Sequence, residues 1–170
     1  MTSPDSDPIV RAAVVRFAVE GFDAPLRGIG SDAGVSAALI MKRFGSKEGL
    51  REATDAFVRD WIREVRAGSL ADSTSADFLA QLATHEEYAA LVIYLVHSIL
   101  DGSDLGRDLV EELVAQAEDA PRHEVVDGLG GFFLTMLLRG DDPTDLPTLA
   151  RRFLAERASR ETDFRLHSRA

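Results

Sequence analysis

The chain has 170 residues, 45% hydrophobic and 28% charged, enough apolar material for a buried core and too much for global disorder. It has no cysteine, which excludes a disulfide framework, a thiolate metal site and a cysteine nucleophile. The net charge of −10 is uneven: residues 1–50 carry six Lys/Arg and six Asp/Glu, leaving 13 basic and 23 acidic residues after them.

Residues 1–9 (MTSPDSDPI) read as a loose polar start, acidic and proline-containing, unlike the basic and then apolar opening of a signal peptide. The most apolar run, Ala89 to Val96, is too short to span a bilayer. A soluble, cytoplasmic protein with no membrane partner is expected. Ile9, Val10, Ala13, Val14, Phe17 and Ala18 share one face of a first helix that ends at Gly21, with Phe22 folding back onto the core. Pro25 suits the first position of a second helix, capped by Asp23 or Ala24. Leu26, Ile29, Gly30 and Ala33 form its inner side, and the small Gly30 and Ala33 allow a third helix to cross closely.

The stretch from Gly34 to Leu50 (GVSAALIMKRFGSKEGL) organises the rest. Gly34-Val35-Ser36 gives a turn and a helix N-cap, and Ile40 and Phe44, spaced i to i+4, give a short helix its buried side. Gly45 can adopt the positive φ that ends a helix, and Ser46 is placed to cap the next, with Glu48 near its positive end. The outward face carries Ala37, Ala38, Met41 and Lys42, with Arg43 and Lys47 beside it. Small residues at the start of such a helix permit close approach to base edges, and cations at its end reach phosphates. The bland alternative is a short amphipathic helix of an all-α core. The two preceding helices favour the first reading, since they complete a three-helix DNA-binding arrangement.

Together, residues 10–50 resemble the N-terminal domain of the TetR family of transcriptional regulators. Phe17 with Glu20-Gly21-Phe22, Arg27-Gly28-Ile29, Gly34-Val35-Ser36 and Phe44-Gly45-Ser46-Lys47-Glu48 all fall in register with that family. The resemblance implies an all-α protein in two parts, a helix-turn-helix DNA-binding domain over 1–46 and an effector-binding and dimerisation domain over 47–170. It also implies a homodimer that binds double-stranded operator DNA, and a small-molecule effector. The DNA-contacting set carried over by register is Arg27, Ser36, Ala37, Ala38, Met41, Lys42, Arg43 and Lys47. Arg27 is the candidate for a hydrogen-bonding base contact, its alternative being a solvated surface charge. The chain departs from the family where Ala24-Pro25-Leu26 replaces a capping Thr or Ser that touches phosphate, and where Met41 and Lys42 replace Tyr and His. Leu39 replaces a small polar residue. The reading surface is therefore apolar, and thymine methyls are its natural partners.

A long helix is expected from Lys47 to about Arg66, with Leu50, Thr54, Phe57, Val58, Trp61, Ile62 and Val65 inward, followed by a linker over 68–75. Phe78 to Leu82 makes a short helix. Glu86 to Leu100 is apolar nearly all round, the mark of a central helix. Asp101 to Asp104 turns the chain, with Ser103 or Asp104 capping a helix that carries Leu105, Leu109, Leu113 and Ala117 on one stripe. Two further helices follow, from Pro121 to about Arg139 and from Leu146 to about Glu161, and the resemblance implies that they pair with their mates in a dimer. Phe57, Trp61, Tyr94, His97, Phe132 and Met136 could line an effector cavity, against the alternative of a filled core. For His97 the bland reading is a hydrogen-bonded core histidine.

No enzyme constellation stands out. The histidines at 85, 97, 123 and 167 lack paired metal-ligand spacing. His85-Glu86-Glu87 are neighbours that do not share a helix face. There is no Gly-rich phosphate loop after a strand and no Gly-x-Ser-x-Gly elbow. No cofactor or metal is expected. The readings left open are a regulator released by an apolar small molecule, a similar scaffold controlled by a protein partner, and a small helical enzyme.

Overall fold

The computed structural model describes residues 7–68 and 88–115, together with 123, 127, 128, 130, 131 and 155. Among these, all regular structure is helical. The elements are α1 (Pro8–Glu20), α2 (Leu26–Ala33), α3 (Ala37–Phe44), α4 (Lys47–Gly68), α5 (Ala89–Leu100) and α6 (Asp104–Ala115). One compact unit comprises Met1–Asp72 and Ala90–Val110; a second comprises Ser73–Ala89 and Glu111–Ala170. The expected helix over 78–82, and Ala117, Phe132 and Met136, lie outside the described residues, as does the side chain of Leu113. Residues 123, 127, 128, 130, 131 and 155 are helical.

The apolar face read for α1 is its buried face: Ile9, Val10, Ala13, Val14, Phe17 and Ala18 are all in the core. The helix starts one residue earlier than its periodicity suggests, because Asp7 caps it. Asp7 Oδ1 accepts from the Ile9 N–H at 3.0 Å, and Pro8 occupies the first turn where no N–H is needed. Gly21, at φ 76°, ends α1 by donating its N–H to the Phe17 carbonyl. The start of α2 differs from expectation by one position: Pro25 is itself the cap, in extended conformation, and Leu26 opens the helix. Neither Asp23 nor Ala24 caps it. Proline has no side-chain acceptor, so only its carbonyl serves the first turn, taking the Gly28 N–H at 2.9 Å. On the surface, the Arg16 guanidinium makes a fork with Asp32 at 2.6 and 2.7 Å and also donates to Glu20, joining α1 to α2. Such exposed pairs are screened by solvent and contribute little, so the apolar face decides the packing.

Leu50, Thr54, Val58, Trp61 and Ile62 are buried along α4, and Phe57 is half-buried. Thr54 Oγ1 donates to the Leu50 carbonyl at 2.8 Å, which satisfies a hydroxyl that would otherwise be costly in the core. Helix α5 is buried from Leu91 to Val96, as a helix with no polar face must be. Its end and the start of α6 are welded by Ser103, whose Oγ donates to the Ser98 carbonyl at 3.1 Å and accepts from the Gly106 N–H at 3.2 Å. A side chain at Gly106 would collide with the Ser98 carbonyl. No single described helix is long and apolar enough to cross a membrane.

Candidate nucleic-acid interface

The joint between α2 and α3 is built by two glycines. Gly34 takes a left-handed conformation (φ 70°, ψ 27°) that reverses the chain after α2. Gly30 lets that turn press inward: a Cβ there would lie 2.6 Å from the Val35 carbonyl oxygen, and the Val35 N–H bonds the Gly30 carbonyl at 2.8 Å. Ser36 then caps α3, its Oγ accepting from the Leu39 N–H at 3.2 Å. Ile40 is 0% exposed and Phe44 is half-buried. Burying an isoleucine is worth about 1.5–3 kcal/mol, so Ile40 fixes the rotation of this short helix about its axis.

With Ile40 inward, Ala38, Leu39, Met41, Lys42 and Arg43 are exposed and Ala37 is half-exposed. Leu39 and Met41 are 45% and 44% exposed, unusual for large apolar residues on an eight-residue helix. Gly45, at φ 79°, ends α3, and Ser46 starts α4 by accepting the Gly49 N–H at 2.9 Å. Gly49 has no room for a side chain against the Phe44 carbonyl, so α3 and α4 meet at close quarters. Hydrogen bonds from its own N–H and from Ser46 hold the Glu48 carboxyl below its ordinary range.

The expected DNA-facing residues are therefore brought onto one surface at the N-cap and outward side of α3 and its exit, except that Arg27 projects from α2, where it is exposed. One contact was not foreseen. Arg43 is paired with Asp7 at 2.8 Å and lies 5.6 Å from the centre of the Phe44 ring. The Asp7-Pro8 pair just ahead of an apolar periodic run is a helix-start signal, and it identifies Asp7 as a cap though not as a partner of Arg43.

The residues considered for an effector divide. The Tyr94 hydroxyl donates to Asp55 at 2.6 Å, and its ring lies 5.3 Å from Phe22 and 6.3 Å from Phe17. His97 Nδ1 is 3.2 Å from the Phe17 carbonyl oxygen, and its ring is 6.2 Å from Phe22. The hydrogen-bonded core reading of His97 matches this placement. Arg51 stacks its guanidinium 3.5 Å from the centre of the Phe22 ring and pairs with Asp101 at 2.9 Å; Arg59 pairs with Asp108 at 3.2 Å. Burial raises the Asp55 carboxyl above its ordinary value, with the Tyr94 hydrogen bond, Arg51 and Arg59 opposing, and burial and Asp55 together push Tyr94 up as well. Trp61 is buried on α4 beyond Asp55. Among the described residues, no cluster of three or more His, Cys, Asp or Glu could hold a metal ion.

A small helix turned outward on a two-helix base, apolar at its start and cationic at its end, defines a helix-turn-helix DNA-binding head. Comparison with known proteins agrees. Residues 9–54 match the family described as bacterial regulatory proteins, tetR family, and residues 86–129 match the tetracyclin repressor-like C-terminal domain. The HTH-type transcriptional regulatory protein RaaS of Mycobacterium tuberculosis (strain ATCC 25618 / H37Rv) is 37% identical across 84% of this chain and 76% of its own length. The chain belongs to the TetR family of transcriptional regulators.

Proposed function

We propose that the protein is a cytoplasmic repressor that binds a palindromic operator as a homodimer and is released by an apolar small molecule. The observation that carries the DNA half of this reading is the outward face of α3, held in place by Ile40 and flanked by Lys42, Arg43 and Lys47. In a symmetric dimer, equivalent α3 helices would enter successive major grooves on the two half-sites. Lys42, Arg43 and Lys47 then serve phosphates, and Ser36, Ala37, Ala38 and Met41 face the bases. Arg27, exposed on α2, takes a base or phosphate at the edge of the same site. The functional division is a head over 1–46 and a dimerising, sensing remainder over 47–170. Effector release follows from linkage: a ligand that weakens DNA binding must itself bind less tightly to the DNA-bound protein, by the same factor.

Selection of bound sequences from random duplex DNA tests the reading. The expected product is an inverted repeat, with affinity that falls steeply with salt and a shallower slope in the Lys42→Ala, Arg43→Ala double variant. Arg27→Ala should cost about 1–3 kcal/mol at one base position if the contact is bidentate, and equally on all sequences if it is to phosphate. Absence of an enriched symmetric motif would reject the operator-binding role.

A further inference from the structure

The Ala37, Ala38 and Met41 stripe of α3 contains no strong hydrogen-bonding group; the Ser36 hydroxyl lies at its start and Lys42 beside it. With Ile40 buried and 3.6 residues per turn, Ala37, Ala38 and Met41 (i, i+1, i+4) lie side by side on one flank of the outward surface. Leu39 extends the apolar surface on the other flank, beyond Lys42. Alanine and leucine offer neither donor nor acceptor, and the methionine thioether is only a weak acceptor. The Ser36 oxygen accepts from the Leu39 N–H, which ties it to the N-cap, and the two cations stand in the last turn, where Arg43 is also held by Asp7.

In the major groove, the apolar feature of a base pair is the C5-methyl group of thymine. Resting on the operator-binding reading, we infer that α3 reads the C5-methyl group rather than the polar edge of the base, with Met41 as the residue that determines this specificity. A consequence follows that polar readout would not have. 5-Methylcytosine carries the same methyl at the same ring carbon, while its exocyclic amino group replaces the thymine carbonyl. The side chains of Ala37, Ala38 and Met41 have no strong donor or acceptor with which to tell the two apart. Cytosine methylation within the recognition sequence would then convert a poor site into a good one.

The experiment uses the full chain and the operator obtained by selection, with the thymines under α3 replaced in turn by uracil, cytosine and 5-methylcytosine. Uracil keeps every polar group of thymine and lacks only the methyl. It should weaken binding about fourfold for each methyl removed. Cytosine should weaken binding at least as much, and 5-methylcytosine should restore it to within about twofold of thymine. Met41→Ala should bring the thymine-to-uracil ratio close to one, whereas Met41→Leu should preserve it, which separates methyl contact from a general loss of folding. Equal affinity for thymine and uracil would overturn the inference while leaving operator binding intact. So would 5-methylcytosine as poor as cytosine. Failure to select any preferred duplex would overturn the operator-binding reading itself, and the inference with it.

Discussion

Asp7 has two uses for its two oxygens. One caps α1 and the other neutralises Arg43, a cation that the DNA backbone would otherwise claim. Of the six cations in residues 1–50, Arg16 is also committed within the protein, to Glu20 and Asp32, and those hydrogen bonds raise its pKa further. A phosphate approaching Arg43 must displace a carboxylate. Asp7→Asn separates the two uses, because asparagine caps a helix about as well as aspartate and carries no charge. This variant should melt at the wild-type temperature and bind operator more tightly at low salt. The slope of log affinity against log salt should steepen by about 0.9, the contribution of one further phosphate contact. Salt titration reads the result, and an unchanged slope would show that Asp7 does not withhold Arg43 from the phosphates.

At the scale of elements, α4 and α5 are joined through a half-buried carboxylate. Burial raises the Asp55 pKa above its ordinary value of 3.8, so folding favours the protonated form. The stability this lends is fully present below pH 3.8 and is lost as pH rises through the folded pKa. Asparagine can still accept the Tyr94 proton without carrying the charge. Relative to Asp55→Asn, the wild type should therefore gain stability as pH falls from neutral toward 4, measured by urea midpoints across that range. Glu48 has the opposite sign: its contribution to α4 is present above its ordinary value of 4.5 and is lost as pH falls below that value through the lowered folded pKa. These contrasting environments also show which elements were legible in the sequence. Caps and turns such as Ser36, Ser46, Ser103 and Gly34 are written within five residues of their partners, and the buried faces of α1 and α4 in a 3.6-residue period. Pro25 was misplaced by one position because a proline suits either side of a helix boundary. The bond between Asp55 and Tyr94, 39 residues apart, leaves no periodic trace. For the same reason, the sequence left cavity lining open for Tyr94 and His97, beside the core reading it favoured for His97.

Across the molecule, the proposed DNA-facing set comes from register with a known family, and the structure leaves Leu39 and Met41 of α3 exposed. What the sequence hid is how much of the first compact unit comes from beyond α4. Tyr94 and His97 of α5 close over Phe17 and Phe22, while Asp101 and Asp108 hold Arg51 and Arg59. The helices that present α3 thus depend on side chains supplied dozens of residues later. This carries a genetic consequence. A gene interrupted ahead of codon 90 encodes α1 to α4 with their aromatic cluster uncovered, rather than a smaller protein that occupies DNA and ignores its signal. On the proposed repressor reading, such alleles should behave as recessive losses of regulation, not as dominant, unresponsive repressors. Expression of residues 1–72 alone should give a chain that binds no operator and is degraded quickly. A stable, operator-binding fragment of that length would show that α5 is dispensable to the head. On the proposed repressor reading, permanent silencing would then be one stop codon away; with α5 required, no chain cut ahead of α5 can bring it about.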